Sequence, residues 1–274
     1  MFQVNASFYR FLSALQDRLT LAFSLKALSE KACLLYPEGE GIRIVYYRCG
    51  AGQRIPVAGD GRCVHVDEDT WITKPDILLS RIAALMGQAQ RIHARDTVAA
   101  RIEKHVTLSF LQEHHLQVAL AGKYRYGLYH GGELVAAAVF SGGRRMAGKP
   151  IDYRSYELLR FCHKQGVHVV GGFSKLLDAF QRDFDLGDIM TYADKDWSDG
   201  NSYRKLGFAM VGETAPQLFW VDPRTMQRYY ERTLPPEIRT VPADERVAAG
   251  YVTVYNSGSM KYIFSIFDGF LLSY

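Results

Sequence analysis

Apolar residues in the first 32 positions of this chain recur at spacings of three and four residues. The stretch contains neither Gly nor Pro, so nothing in it interrupts a helix. Because this spacing places apolar side chains on one helix face, it predicts an amphipathic helix or a helix pair within 1–32. The residues that follow the spacing are Phe8, Phe11, Leu12, Leu15, Leu19 and Phe23.

The chain between 33 and 100 mixes strand and helix signals. Residues 42–50 (IRIVYYRCG) alternate and are β-prone, and the glycine-punctuated stretch after them is typical of a turn between strands. Residues 76–86 predict a helix with Gly87 as its C-terminal cap. Together these signals predict an N-terminal α+β extension over 1–100, to which no role is assigned.

From residue 103 onward, helical and alternating segments follow one another along the chain. Gly131 and Gly132 separate two alternating runs, which is typical of a β-hairpin. The order of the segments predicts a mixed α/β domain over 101–230. The segments are a helix at 103–117, strands at 124–130, 133–140 and 156–162, a helix at 171–184, a strand at 188–194, a helix at 198–207, and a final strand pair at 208–213 and 217–222.

The C-terminal part of the chain returns to alternation. Residues 250–264 form two alternating runs about Ser257 and Gly258, which predicts a C-terminal β hairpin. This hairpin is expected to belong to a β tail over 231–274 that packs on the core.

Composition is that of a packed protein, with 48% hydrophobic and 23% charged residues. The apolar tract at 263–272 is interrupted and far shorter than the roughly 20 residues that a bilayer span needs, so it predicts a buried or partner-covered terminus and no membrane contact. The chain start lacks a basic segment followed by an apolar core, which predicts a cytoplasmic location. Cys63 and His65 lack a second pair of ligands at useful spacing, so no metal site is expected.

Positive charge is concentrated in one part of the chain. Residues 123–176 contain nine basic and three acidic residues, a net charge of +6, whereas the whole chain carries +4. Such a segment favours a phosphate-bearing partner, either coenzyme A or a nucleic acid. A solvated basic face is the alternative interpretation.

Residues 168–177 (HVVGGFSKLL) join a predicted strand to a glycine-led helix. With the order of elements, this joint resembles the GNAT acyltransferase superfamily, in which a loop written RxxGxG/A and the following helix hold the coenzyme A pyrophosphate. A helix start carries roughly half a positive charge, and its unpaired amides face the anion. The resemblance implies that acetyl-CoA or a related acyl-CoA is held by His168, Gly171, Gly172, Phe173, Ser174 and Lys175. In this chain His168 replaces the usual Arg or Gln, and Phe173 replaces the second glycine.

Residues 193–208 (ADKDWSDGNSYRKLGF) resemble a second GNAT joint, a strand followed by a short helix that ends in YEKLGF. The resemblance implies that Asn201 contacts the cofactor and that Tyr203 protonates the leaving thiolate. A Tyr hydroxyl suits this role because its pKa, near 10, lies slightly above that of a thiol. Without the resemblance, the same residues are also compatible with the packing of a helix end.

Within the GNAT superfamily, several segments in the same order resemble Mom-like phage DNA-modification proteins and the GNAT-like segments of phage homing-endonuclease-like proteins. The segments are FLQEHHLQ, YRYGLYHGGELVAAAVFS, YELLRFC, GGFSKLL, YADKDWSDGNSYRKLGF and GYVTVYNSGSMKY. The resemblance implies that Glu157, Arg160, Ser174 and Asp194 line the cleft where the central strands part.

Acyl transfer to an amine needs a base that removes a proton from the attacking nitrogen. Glu157, on the strand before the glycine loop, is the best candidate for that base. The alternative is an ion pair with Arg160, but side chains three residues apart on a regular strand point to opposite faces, so the pair requires a bulge or a third element. Asp194 and Asp196 lack a third metal ligand and are as well explained by capping of the next helix.

The loop before Glu157 combines basic and aromatic residues. Basic side chains neutralise phosphates and aromatic faces stack on bases, so the loop predicts contact with DNA or RNA; a solvated surface loop is the alternative. The residues concerned are Arg144, Arg145, Lys149, Tyr153, Arg154 and Tyr156.

Two functions remain open at this point. The first is an enzyme that transfers an acyl or related small group from a coenzyme A-type donor to an amine, such as a nucleobase or another nucleic-acid-linked amine. The second is a catalytically silent GNAT-like module that recognises DNA for a partner enzyme. Asn201 and Tyr203 favour the enzyme, whereas Phe173 in the glycine loop favours the silent module. The oligomeric state is not predicted.

Overall fold

The structure is a computed structural model that describes residues 2–59 and 61–265. These residues form two compact units, each assembled from separate stretches of sequence. The first unit comprises 2–86, 194–199 and 214–259, and the second unit comprises 87–193, 200–213 and 260–265. The sequence boundaries at 100 and 230 stay predictions, and the part of the expected β tail beyond 265 lies outside the described residues.

Short helices and strands make up the first unit. Its elements are α1 (Ala6–Leu19), β1 (Phe23–Ala27), β2 (Ala32–Pro37), β3 (Arg43–Tyr47), β4 (Cys63–Asp67), α2 (Glu68–Thr73), α3 (Pro75–Leu85), β13 (Leu218–Asp222), β14 (Gln227–Tyr229), α7 (Pro236–Arg239), α8 (Ala243–Ala248) and β15 (Val252–Tyr255). One sheet has the order β1-β2-β3-β4 and a second has the order β14-β13-β15. In the first sheet only β3 and β4 are parallel.

Helix α1 confirms the amphipathic helix expected at the start of the chain. The side chain of Asn5 caps it by accepting a hydrogen bond from the Phe8 amide at 2.9 Å. Phe8 and Phe11, on its apolar face, are fully buried. The expected extent was wrong, because Thr20 adopts a left-handed conformation that ends the helix and Phe23 begins strand β1.

The second unit is built around one large sheet. Its elements are β5 (Gln90–His93), β6 (Val98–Arg101), α4 (Lys104–His114), β7 (Tyr124–His130), β8 (Glu133–Phe140), β9 (Ser155–His163), β10 (Val167–Val170), α5 (Gly172–Asp183), β11 (Asp188–Asp194), α6 (Asn201–Lys205), β12 (Ala209–Glu213) and β16 (Ser259–Ser265). Among the described residues, no helix is both long and apolar enough to cross a membrane.

The large sheet has seven strands in the order β12-β16-β11-β9-β8-β7-β6. Strands β9 and β11 are parallel, whereas β6 to β9 and the β12/β16 pair are antiparallel. Helix α5 packs on the sheet through buried side chains, and its Phe180 stacks on Phe140 with ring centroids 3.9 Å apart. The mixed, mostly antiparallel central sheet flanked by helices that the sequence predicts is therefore confirmed.

The partners of the last strands differ from the expectation. All four expected strands are present, but β12 pairs with β16 and β13 pairs with β14 and β15. The predicted pairing of the final two strands of the 101–230 domain was therefore wrong, and so was the predicted pairing of the two strands of the C-terminal hairpin. Alternation predicts a strand but carries no information about its partner, which contacts between distant parts of the sequence decide.

Candidate functional site

Strands β9 and β11 pair in parallel only over their first halves. The register ends where Leu158 faces Thr191, although β9 continues for five residues and β11 for three. Leu158 and Arg160 face successive residues of β8, so that Leu159 is a bulge at the same point. A bulge turns the strand direction, and here it coincides with the end of the parallel pairing.

A glycine turn leads from β10 into helix α5. Gly171 has a φ of 76°, in the left-handed region that favours glycine. No side chain of the described residues caps the helix, and a bond from the Lys175 amide to the Gly171 carbonyl, at 3.1 Å, closes its first turn. The amides of Gly172, Phe173 and Ser174 therefore lack intrahelical partners, which is an arrangement that binds anions.

The parallel pair β5 and β10 brings a further cation near this turn. Its register places Arg91 opposite His168, and both side chains are exposed. The ammonium of Lys175 donates to the carbonyl oxygens of Ala94, at 2.8 Å, and Thr97, so it holds the segment after β5. Sequence reasoning missed Arg91; the basic RIHARD segment that begins with it is its sequence signal.

Aromatic rings surround the start of α5 on its inner side. Phe173 is 9% exposed and stacks on Phe161 of β9 with centroids 4.9 Å apart. Tyr203 and Phe208 lie 5.6 and 6.0 Å from the same ring. Phe173 thus points into an aromatic cluster rather than into solvent, and it contacts the part of β9 that lies beyond the bulge.

Helix α6 carries the two residues expected to act on a donor. The chain enters it through Gly200 with a φ of 75°, where an added Cβ would lie 1.9 Å from the Tyr262 hydroxyl, so only glycine fits. The guanidinium of Arg204 donates to the Asn201 side-chain oxygen at 2.7 Å and to the Tyr262 hydroxyl at 2.9 Å. Tyr203 is half-buried and stacks on Tyr262 with centroids 5.2 Å apart.

Glu157 lies one residue before the end of the parallel pairing. Its amide donates to the Ser141 hydroxyl at 2.9 Å, which holds the backbone in place. Its carboxylate is 3.4 Å from the guanidinium of Arg144. Arg160, the alternative partner considered from the sequence, donates instead to the carbonyl oxygens of Val118 and Leu159.

The two remaining candidates are Arg145 and Asp194. Arg145 is exposed in the loop between β8 and β9. Asp194 belongs to the first unit, where its carboxylate accepts a hydrogen bond from the Asp196 amide at 2.9 Å. Within 2–59 and 61–265, no three His, Cys, Asp or Glu side chains are grouped to hold a metal ion.

His163, at the end of β9, is a titratable residue that the sequence did not single out. Its ring lies 4.9 Å from Phe161 and 5.0 Å from His168. Its Nε2 atom is buried and has no partner among the described residues. Burial, assisted by the neighbouring His168, lowers the pKa of His163 to about 3, so the ring is neutral near pH 7.

A network of buried charges holds the first unit. Arg54 donates to both Asp67 oxygens, at 2.6 and 2.9 Å, and to both Asp196 oxygens, at 3.2 and 2.8 Å. Arg228 joins Asp67, at 2.8 Å, to Asp69, at 2.7 and 2.6 Å. All three carboxylates are buried. Burial alone raises the pKa of Asp67, but the two guanidinium groups hold it well below its usual value.

Each charge in this network already has partners of opposite sign. Within the described part of the chain, none of the buried atoms left without a hydrogen bond belongs to these five residues. The arrangement therefore suits a structural tie between distant segments rather than a reaction centre. Sequence reasoning missed it because Arg228 and Asp67 are 161 residues apart.

The structure of this chain is similar to solved structures of acetyltransferases. No family model matches the chain, and no curated protein matches it. Three of the similar solved structures cover 62% of this chain. They are the ribosomal-protein-S18-alanine N-acetyltransferase from Escherichia coli (11% identity, 94% of that chain, TM-score 0.38), Ard1 from Thermoplasma volcanium (14%, 98%, 0.37) and Naa50 from Arabidopsis thaliana with a bisubstrate analogue (10%, 99%, 0.40). At these identities and TM-scores, no activity of this chain follows from the likeness.

Proposed function

We propose that the second unit is a GNAT-type transferase that moves an acyl or related small group from a coenzyme A-type donor to an amine. The observation that carries this proposal is the end of the β9/β11 pairing after Leu158, in the same unit as the uncapped, glycine-led start of α5. A gap between parallel strands suits an extended ligand, and free amides at a helix start attract its diphosphate. The donor is acetyl-CoA or a related acyl-CoA.

The amides of Gly172, Phe173 and Ser174 hold the donor phosphates in this proposal. Arg91 and His168, which face each other across β5 and β10, add donors on an exposed surface near the turn. Lys175 contributes indirectly, because its ammonium holds the segment at 94–97. The donor, when bound, supplies a thioester carbonyl for attack by the amine.

Glu157 and Tyr203 carry the proton transfers in this proposal. Glu157 accepts the proton of the attacking amine, directly or through water. Among the described residues it forms one ion pair, at 3.4 Å, which leaves acceptor capacity on the carboxylate. Tyr203 donates a proton to the leaving thiolate, for which a hydroxyl of pKa near 10 is suited. Asn201 fixes the start of α6 through Arg204.

The acceptor is a nucleobase or another amine linked to a nucleic acid. Two features support this choice: the net charge of +6 over 123–176, and the contact between Arg144 and Glu157. A cation beside the base brings a polyanionic acceptor close to the group that deprotonates it. The relation to Mom-like phage DNA-modification proteins and to phage endonuclease-associated segments is part of the same proposal.

Transfer of labelled acetyl from acetyl-CoA to a DNA duplex tests the enzyme. Tyr203→Phe keeps the ring packing and removes the acid, so the kcat is expected to fall about 100-fold with little change in KM. Tyr9→Phe, at an exposed tyrosine of helix α1, is the matched control and keeps the wild-type rate. Equal rates for Tyr203→Phe and the wild type would exclude Tyr203 as the acid.

The second candidate function is a catalytically silent module that recognises DNA for a partner enzyme. The observation that favours it is the burial of Phe173 in an aromatic cluster at the start of α5. Calorimetry with acetyl-CoA separates the two candidates. The enzyme gives heat of binding and, at 100 times the Kd, a stabilisation of about 2.7 kcal/mol. The silent module gives neither effect at millimolar ligand.

A further inference from the structure

The loop at 141–154 between β8 and β9 forms an arm with a firmly held base. Arg144 and Ser155 exchange backbone hydrogen bonds at 2.8 and 3.0 Å, which closes the base as a β-bridge. The Asp188 carboxylate, at the start of β11, accepts hydrogen bonds from the hydroxyls of Tyr153 and Ser155, both at 2.5 Å. Asp188 is buried, so these bonds anchor the arm to the sheet.

The four cations of the arm have different roles. Arg154 donates to two carbonyl oxygens within the arm, at 2.7 and 2.9 Å, and so shapes its turn. The Lys149 ammonium lies 5.1 Å from the ring centroid of Tyr153. Arg144 is 64% exposed despite its contact with Glu157. Arg145 is exposed, and no partner for it appears among the described residues.

The arm also presents apolar side chains to solvent. Ile151 is 79% exposed and Met146 is 46% exposed. They lie in a segment with four basic residues and one acidic residue, a net charge of +3. Cations with an adjacent apolar tip are the pattern by which arms hold nucleic-acid phosphates and insert a side chain at a base step.

We propose that the 141–154 arm is a nucleic-acid docking element, in which Arg145 and Lys149 neutralise phosphates and Ile151 contacts the bases or the groove. Arg144, in the β-bridge at the base of the arm, also contacts Glu157, so docking places the polyanion beside the proposed base. This part rests on the proposed function and names the surface that presents the acceptor. Docking itself needs no donor.

The charge and the apolar area of the arm favour a nucleic acid over an anionic membrane. Two exposed apolar side chains offer far less area than a single acyl chain, which by itself gives only marginal membrane binding. Phosphate contacts by Arg and Lys, in contrast, supply most of the affinity for nucleic acids and do not need a large surface. Binding to anionic vesicles is therefore an outcome that counts against the proposal.

Fluorescence anisotropy with a labelled DNA duplex, a single-stranded DNA and an RNA hairpin tests the arm in the full chain. The double variant Arg145→Ala/Lys149→Ala is expected to weaken binding to at least one of these at least tenfold and to reduce the slope of log Kd against log salt by about 1.8. Ile151→Ser is expected to weaken binding severalfold without changing the slope. Lys104→Ala and Val118→Ser, at exposed positions outside the arm, are the matched controls and keep wild-type binding.

The outcomes separate docking from catalysis. Thermal unfolding checks that each variant is folded. The Asp152→Ala variant, which removes the one acidic residue of the arm, is expected to bind the nucleic acid more tightly than the wild type. Unchanged affinity in the double variant, an equal loss in Lys104→Ala, or binding only to phosphatidylserine vesicles overturns the proposal. Failure to bind acetyl-CoA overturns the transferase alone, because the anisotropy assay contains no donor.

Discussion

Two regions of the molecule differ in how far their polar groups already have partners: the carboxylate network around Asp67 and the start of helix α5. In the first unit, Asp67 accepts hydrogen bonds from Arg54 and Arg228, and these two arginines also bind the carboxylates of Asp196 and Asp69. In the second unit, the amides that open α5 have no side-chain cap, and His163 has a buried ring nitrogen without a partner among the described residues. Saturated groups hold a fold together, whereas groups with spare bonding capacity are the ones that a ligand can satisfy.

This contrast favours a structural role for the acidic run at 67–69. Titratable side chains close together attract attention in a sequence, but Arg54 and Arg228 already neutralise two of these three residues. The glycine turn at 171 carries fewer charges and more unmet hydrogen-bonding capacity. This capacity favours the start of α5 as a place where a ligand binds.

Breaking the saturated network is expected to have the largest effect. Asp67→Asn removes the shared carboxylate and leaves Arg54 and Arg228 buried with incomplete pairing, so the free energy of unfolding is expected to fall by about 3–5 kcal/mol. Urea unfolding measures this. Asp17→Asn, at an exposed position on α1, is the control and changes stability by less than about 0.5 kcal/mol.

The same carboxylate is expected to make the free energy of unfolding of the first unit depend on pH in the acid range. Because the pKa of Asp67 is lower in the folded chain than in the unfolded chain, its contribution is complete above about pH 4 and is lost as the pH falls through the folded value. Asp67→Asn lacks this part of the acid dependence. Equal stability of Asp67→Asn and the wild type at pH 7 would contradict a structural role for the network of Asp67 with Arg54 and Arg228.

Protonation of His163, whose Nε2 atom lacks a partner among the described residues, is expected to have an intermediate effect. The pKa of His163 is about 3 in the folded chain and near 6.5 when unfolded, so the unfolded state binds the proton first. Its contribution is present above about pH 6.5 and falls by about 2 kcal/mol between pH 7 and pH 5. Unfolding at both pH values measures it in His163→Phe, which removes the titration.

His105→Phe is the control for this experiment, because the side chain of His105 is 80% exposed. It is expected to keep the pH dependence of the wild type. A His163→Phe variant with that same dependence would show that the ring is not held neutral by its surroundings.

Substitution of the turn glycine Gly171 is expected to have the smallest effect on stability. It tests whether the amides at the start of α5 bind the donor. Gly171→Ala and Gly166→Ala both place alanine at a φ near 75°, at a cost of about 1–2 kcal/mol each. Calorimetry with acetyl-CoA is expected to show weaker binding only for Gly171→Ala, since that turn aims the α5 amides. An equal change in both variants would contradict a donor site at this helix start.

The local structure of the second unit could largely be predicted from its sequence. The hairpin at Gly131 and Gly132, the helix after Gly171 and the short helix at Asn201 all lie close to their expected positions. Each carries its own local signal, either a glycine at a required left-handed turn or an unbroken periodicity. The amides at the start of α5 follow from the same signal.

Long-range partners could not be predicted in this way. The separation of β15 and β16 into different sheets and the tie from Arg228 to Asp67 depend on residues far apart in sequence. The contact of Glu157 with Arg144 depends on how the loop between β8 and β9 folds back on β9. Phe173 was recognised as a departure from the family pattern, but its burial against Phe161 required the fold. A single sequence contains no record of such pairs.

The division of the first unit between 2–86 and 214–259 affects how this chain is made. Strand β13 and its neighbours leave the ribosome only after most of the second unit has been translated. At roughly 5–20 residues per second, the early segment waits on the order of 10–30 s for them. During that interval Asp67 and Asp69 have no Arg228, so a nascent chain halted before 214 is expected to expose an unfinished, chaperone-binding intermediate.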